Sequence, residues 1–205
     1  MMHPKLSILI PVYNPPGNWF RNILDTLCKQ KTDYPDTEIV VVDDGSKPEL
    51  SWVSDYPVMY FWKENGGEAS ARNACLDNMR GDYFHFIDHD DEIYRNCLEV
   101  IHSNIEEGYD FVAYNFVCDG DIKRAYHNYG KLNYNCAMWG YTFRTAFTNG
   151  ARFDESIVAG CDTDYLARVL RDDCKHKIDD RVFYNYRWNG NENSMCHRKL
   201  RGEIS

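Results

Sequence analysis

The apolar residues in the first half of the chain come in short, nearly unbroken runs. Leu6 to Val12, Glu38 to Val42, Val58 to Trp62 and Tyr83 to Ile87 read as four buried strands. Helical spacing fills the intervals. Trp19, Phe20, Ile23, Leu24, Leu27 and Cys28 recur on one helical face before the break Asp33-Tyr34-Pro35-Asp36. Ala71, Ala74, Cys75 and Met79 predict a helix from about Glu68 to Met79, closed by Arg80-Gly81-Asp82, and a further helix carries Cys97, Leu98, Ile101 and Ile105. A strand that does not alternate between apolar and polar is buried on both faces. The pattern therefore predicts an α/β domain, with a mostly parallel central sheet and helices on both faces. The second half is less regular. It offers a strand around Phe111 to Val117, an aromatic-rich stretch from Tyr134 to Phe147, a helix from about Thr163 to Arg171 and a strand around Val182 to Trp188. No repeat, linker or low-complexity tract divides the chain, so residues 1–205 are expected to form a single domain, ending in a polar tail over 191–205.

Composition narrows the partners. Lys and Arg number 23 against 32 Asp and Glu, a net charge of −9. That balance excludes sequence-independent binding of nucleic acid, which needs a basic face to displace phosphate counterions, and gives no general attraction to an anionic bilayer. The first apolar run is short and broken by Ser7 and Pro11, unlike a signal peptide, and no segment approaches the ~20 apolar residues of a membrane span. The expectation is an unprocessed, soluble, cytoplasmic chain. The eight cysteines are Cys28, Cys75, Cys97, Cys118, Cys136, Cys161, Cys174 and Cys196, no two within four positions. Zinc-knuckle spacing is absent, and reduced, mostly buried thiols are expected.

In open α/β sheets, ligands bind beyond the carboxyl ends of the strands. Three predicted strand ends carry polar groups: Tyr13-Asn14 before Pro15-Pro16-Gly17, Asp43-Asp44-Gly45-Ser46, and Asp88-His89-Asp90-Asp91-Glu92. A parallel sheet puts all three on one edge. The carboxylates after the fourth strand repel one another and need solvent or a cation to offset them. Hard divalent ions take such oxygens, commonly with substrate phosphates, so a metal–diphosphate site is one reading; an acidic turn capping the next helix is the other. Asp43-Asp44-Gly45-Ser46 reads as ordinary turn chemistry or as a hydrogen-bond acceptor for a base or ribose. In Asn65-Gly66-Gly67 followed by Ala71-Arg72-Asn73, glycines precede a helix, and Arg72 could meet phosphate or hold an acidic loop. Dinucleotide and P-loop glycine motifs are missing. Asp162, in Gly160-Cys161-Asp162-Thr163-Asp164, fits a helix cap or a general base acting on a hydroxyl. Trp139-Gly140 fits a sugar pocket or the core. His85 sits on a strand and most other histidines read as surface groups; His197, in the tail, could complete a metal shell.

Taken in order, Ser7-Ile8-Leu9-Ile10-Pro11-Val12-Tyr13-Asn14, Val41-Val42-Asp43-Asp44-Gly45-Ser46, Asn65-x-Gly67 with Ala71-Arg72-Asn73, and Asp88-His89-Asp90-Asp91 resemble the family-two glycosyltransferases of the Rossmann-like GT-A fold. The resemblance is carried by about residues 5–100, the nucleotide-binding half, and extends more thinly through an acceptor-side half to about 190. It implies inverting transfer of a sugar from a nucleotide-diphosphate donor, commonly a UDP-sugar, to a hydroxyl of a glycan or lipid-linked saccharide, assisted by Mn2+ or Mg2+. Residue by residue, it implies Pro11, Tyr13 and Asp44 around the nucleobase; Asn14, Gly67, Arg72 and His89 near the nucleotide-sugar; Asp88 and Asp90 as the Asp-x-Asp that holds ribose, cation and diphosphate; and Asp91 at donor sugar or metal. Asp162 matches the second residue of the family's Glu-Asp pair, the usual base, with Asp164 as a fallback. Cys161 stands where that pair has Glu. Bacterial surface-polysaccharide synthesis is the family's commonest context, with peripheral membrane association or oligomerisation to complete the acceptor side. Two other readings exist. One is a catalytically silent sugar-nucleotide or glycan-binding module of the same fold. The other is a nucleotidyltransferase, whose glycine-rich basic first loop is missing.

Overall fold

The structure, a computed structural model of the chain, describes residues 3–118, 120–123, 137–171, 173–187 and 201–203. The elements run β1 (Leu6–Val12), α1 (Trp19–Lys31), β2 (Thr37–Asp43), β3 (Met59–Trp62), α2 (Glu68–Asn78), β4 (Tyr83–Phe86), β5 (Glu92–Ile93), α3 (Cys97–Ile105), β6 (Phe111–Cys118), β7 (Asp121–Lys123), β8 (Tyr141–Arg144), α4 (Cys161–Val169) and β9 (His176–Tyr186), with short 3-10 turns at 51–55, 138–140 and 145–148. One sheet holds the strands in the order β3-β2-β1-β4-β8-β6-β9-β5, and β7 pairs with β6. β1 pairs in parallel with β2 (Leu6 beside Thr37) and with β4 (Leu6 beside Tyr83), and β2 with β3. β8 lies antiparallel between β4 and β6, which restores β6, and β9 beside it, to the common direction. Among the described strands, β5, β7 and β8 run against the rest. The sheet is mostly parallel, as the apolar runs require.

The unbroken runs have their predicted cause. Along β1, Leu6, Ile8 and Ile10 pack with α1 and α3, through Phe20, Leu24, Leu98 and Ile101. Leu9, with Val40, Val42, Phe84 and Phe86, packs against the opposite layer, where α2 and α4 contribute Cys75, Tyr165 and Leu166. Burying each large apolar side chain contributes about 1.5–3 kcal/mol, and these two layers supply most of the domain's stabilisation. α2 follows the parallel strand β3 and returns antiparallel to it, so its start lies at the carboxyl edge of the sheet. α4 follows the reversed strand β8 after a long connection, and its start reaches the same edge, where Asp162 meets Arg72 of α2.

Several details differ from the pattern. β3 is an edge strand with half-buried residues rather than a buried one, and Trp62 at its end is 49% exposed. β9 begins at His176, six residues before the predicted start. Its first half is charged and shows no strand period, because its burial is satisfied by polar partners: Asp179 accepts from Asn104 Nδ2 at 2.7 Å and from the Arg181 side chain. His102 is a core residue, not a surface one, hydrogen-bonded to Thr37 Oγ1 at 2.7 Å and stacked on Tyr34, and burial lowers its pKa. Cys75, Cys97 and Cys161 are buried free thiols, Cys28 is free and half-buried, and Cys118 and Cys174 are half-buried. Cys136, Cys196, His127, His197, Trp188 and residues 134–136 of the aromatic stretch lie outside the described residues, as does most of the polar tail. Among the described residues, no helix is long and apolar enough to cross a membrane.

Candidate active site

The carboxyl ends of β1, β2 and β4 are stitched together by short polar contacts. The Asp44 N–H donates to the Val12 carbonyl at 2.8 Å. Asn14 takes a left-handed backbone (φ 43°), which lets its N–H reach Ser46 Oγ at 2.9 Å while its Oδ1 accepts the Lys47 N–H at 2.9 Å. His89, after β4, lies with Nδ1 3.2 Å from the Pro11 carbonyl. Tyr13 is 47% exposed between these contacts. The three strand ends therefore form one rim, as the parallel reading required.

Within the rim the two aspartates at the end of β2 do different work. Asp43 is part of the turn, accepting from the Ser46 N–H at 2.8 Å and the Tyr60 hydroxyl at 2.8 Å. Asp44 is buried and organises the loop before α2. Its oxygens accept from Lys63 Nζ (2.6 Å), Asn65 Nδ2 (3.0 Å) and the backbone N–H groups of Gly66 (3.0 Å) and Gly67 (2.9 Å). Gly67 reaches that carboxylate with φ 87°, open to glycine at no steric cost. At Gly45 (φ 83°) a Cβ would stand 2.8 Å from the Asn65 nitrogen. With both oxygens engaged, Asp44 holds the loop before α2 in shape rather than standing as a bare acceptor.

The centre of the site is Arg72. It is 1% exposed, and its Nη2 donates to Glu68 Oε1 (2.8 Å), Asp88 Oδ1 (3.2 Å) and Asp162 Oδ2 (3.2 Å). Its Nε lies 3.0 Å from Asp162 Oδ1, and its Nη1 has no hydrogen-bond partner among the described residues. Arg72 thus holds acidic groups from α2, from the loop after β4 and from α4, the second of the two roles the sequence left open. Burial opposes its charge, but Asp162, Asp88 and Glu68 hold its pKa well above the ordinary value. Asp162 also accepts the Met138 N–H at 2.9 Å. Burial, the largest effect, pushes its carboxyl up; Arg72 pulls it down and Glu68 and Asp88 push it up again, leaving it at about 7. A carboxylate poised there is suited to take a proton near neutral pH. Asp164, the fallback base, is paired instead with Arg168 at 2.6 Å one turn along α4, away from this cluster.

In the acidic loop, burial and Asp90 raise the Asp88 carboxyl against the pull of Arg72. Asp91 is buried and both its oxygens are spent, on the Tyr184 hydroxyl at 2.7 Å and the Arg187 N–H at 2.9 Å. Asp91 therefore anchors the end of β9 to the loop. Asp88 and Asp90 fit a divalent cation by donor chemistry, since both offer hard carboxylate oxygens in a loop with surplus negative charge. Trp139 resolves to the core: it is 3% exposed and stacks on Tyr184 at 4.5 Å. Sequence reasoning missed three contributors. Glu68 was legible only as an acid four positions before Arg72, the spacing of a helix ion pair. Lys63 and Tyr184 carried no signal.

A mostly parallel sheet with its carboxylates gathered beyond the strand ends, beside two helix starts, is an α/β domain of the GT-A type. Comparison with known proteins makes the assignment specific. The family model described as glycosyl transferase family 2 matches residues 7–172, and the chain belongs to that family. An uncharacterized glycosyltransferase of Rickettsia typhi, RT0329, is 43% identical over 99 residues, 47% of this chain and 30% of that protein. The glycosyltransferase GlyA of Streptococcus pneumoniae is 35% identical over 113 residues, 52% of this chain and 16% of that protein. Among solved structures, S. aureus TarS 1–349 in complex with UDP superposes with a TM-score of 0.76 at 22% identity, covering 89% of this chain and 60% of that one. The same fragment with UDP-GlcNAc gives 0.77 at 21% identity, covering 89% and 58%. The chain thus spans less than a third of these curated relatives and about three fifths of the TarS fragment.

Proposed function

We propose that the chain carries the donor site and the base of an inverting, metal-dependent glycosyltransferase, which moves a sugar from a nucleoside diphosphate to a hydroxyl of a glycan or lipid-linked saccharide. The observation that carries this reading is the buried cluster of Arg72 with Asp88 and Asp162, which joins the acidic loop to a carboxyl poised at about 7. A module that only bound sugar nucleotides would have no need of a proton acceptor at that position. The UDP and UDP-GlcNAc bound by TarS, on the same fold, support a uridine nucleotide as the donor group.

In this reading Pro11, Tyr13, Asn14 and the loop shaped by Asp44 and Gly67 receive the base and ribose, with His89 alongside. Asp88 and Asp90 would hold Mn2+ or Mg2+, which supplies Lewis-acid stabilisation of the charge on the leaving diphosphate. Asp162 accepts the proton of the acceptor hydroxyl. That oxygen bonds to the anomeric carbon as the carbon–oxygen bond to the diphosphate breaks, and the electron pair leaves with the diphosphate. A single displacement on the face opposite the leaving group inverts the anomeric centre. Arg72 fixes Asp162 and Asp88 relative to each other, so base and donor loop keep one spacing.

The test is UDP release from UDP-glucose, UDP-galactose and UDP-N-acetylglucosamine with manganese. Release that Asp90→Ala abolishes and Asp162→Asn lowers about 10²–10⁴-fold is expected of a transferase with this base. Donor binding without release by the unaltered chain, on any acceptor, identifies a binding module instead.

A further inference from the structure

Glu68 opens α2, and Cys161 and Asp162 open α4; the two helix starts meet at the buried guanidinium of Arg72. One polar atom from each of Glu68, Cys161 and Asp162 lies within 4.8 Å of the other two. The three groups differ in what they still offer. Cys161 is 1% exposed, and burial pushes its thiol up, so it stands as a neutral S–H against Asp162 Oδ1 at 3.8 Å. Asp162 is already engaged by Arg72 and the Met138 N–H. Glu68 is the most open, with its side chain 29% exposed. Only its Oε1 is bound, to Arg72 at 2.8 Å, and Oε2 has no hydrogen-bond partner among the described residues.

A metal ion in this triangle is disfavoured, because the Arg72 guanidinium already sits against two of its three members. A neutral hydroxyl meets no such repulsion and donates readily to a carboxylate. It has one proton and can serve only one of the two acids, whereas neighbouring hydroxyls of a sugar ring can serve both.

We infer that Glu68 is a substrate-contacting residue, whose second oxygen accepts a hydrogen bond from an acceptor hydroxyl adjacent to the one that Asp162 deprotonates. The inference rests on the transfer reading above and deepens it. The acids that frame the acceptor come from α2 and α4, and the acceptor is a sugar presenting two neighbouring hydroxyls rather than a simple alcohol. Glu68 itself transfers nothing; it orients.

The experiment compares the full chain with Glu68→Gln, using the three UDP-sugars above, manganese, and the methyl glycosides of glucose, galactose and N-acetylglucosamine as acceptor probes. Gln keeps an oxygen for Arg72 but loses the charge. The expected result is a glycoside-stimulated kcat down about tenfold or more, with the slow hydrolysis of the donor falling clearly less than transfer does and the donor KM little moved. The exchange Glu68→Ala/Cys161→Glu, which returns a carboxylate from the α4 side, is expected to recover most of that loss. A glycoside-stimulated rate that Glu68→Gln leaves intact overturns the inference. So does an equal loss of hydrolysis and transfer together with a lowered melting temperature, which makes Glu68 a prop for Arg72 alone. Stimulation of the unaltered chain by methanol but by no glycoside overturns the acceptor class. No UDP release from any donor is a separate result that removes the transfer reading itself, and this inference with it.

Discussion

Arg72→Met removes the cation that joins the site's carboxylates while keeping much of the side chain's volume and its contact with the Phe86 ring. The guanidinium is 1% exposed and touches carboxylates from three separate elements at 2.8–3.2 Å. Coulombic attraction at such distances is several kcal/mol per pair even at an effective dielectric of about 20, but most of it offsets the cost of desolvating four charges. What the substitution exposes is that uncompensated cost. Breaking a buried ion pair by removing one partner typically costs about 3–5 kcal/mol. For a domain of this size that is a fall in melting temperature of roughly 6–20 °C, against a total stability of ~5–15 kcal/mol. The pH dependence separates charge from packing. Arg72 pulls the Asp88 and Asp162 carboxyls down, so without it both rise further and take up protons at higher pH. The deficit is therefore largest near pH 8 and shrinks towards pH 5, and Arg72→Met/Asp162→Asn recovers part of it at pH 8 as a non-additive gain. Thermal unfolding in EDTA at the two pH values, followed by circular dichroism, measures this. A shift under about 2 °C at pH 8, or the same deficit at both pH values, would refute the view that Arg72 neutralises the cluster.

Further outcomes follow from the same charges. Asp162 is raised to about 7, so its charged form weakens the fold: that penalty is absent below the unfolded value of 3.8 and complete above about 7. Asp162→Asn is accordingly expected to melt higher than the unaltered chain at pH 8, with the difference fading by pH 5, while transfer is lost; a lower melting temperature at pH 8 contradicts the assigned environment. Asp179 has the opposite sign. Burial would raise it, but hydrogen bonds from Arg181 and Asn104 outweigh burial and hold it at about 2. Its contribution, about 2 kcal/mol from a shift of that size, is present above 3.8 and lost as pH falls towards 2. Urea unfolding of Asp179→Asn is expected to show that loss at pH 7 and little of it at pH 2.5.

What the sequence determined by itself was everything carried by local period and by order along the chain. Strands without alternation can only be buried on both faces, so Leu6–Val12 and Thr37–Asp43 already implied a parallel sheet between helices, and that sheet puts Asp44, Asp88 and their loops on one rim. The four motifs in their order named the family. What only the tertiary structure decided was the partner of each buried charge. Asp162 and Asp164 are two residues apart on one helix start, yet one faces Arg72 and the other Arg168. Asp90 and Asp91 are neighbours, but Asp91 is consumed by Tyr184, 93 positions away. The charged start of β9 is a strand because Asn104, from α3, meets Asp179. Hydrophobic burial is non-directional and leaves a repeating trace in the sequence. A desolvated charge is satisfied by a particular group at a particular distance, brought there by chain folding from anywhere, and leaves no period to read.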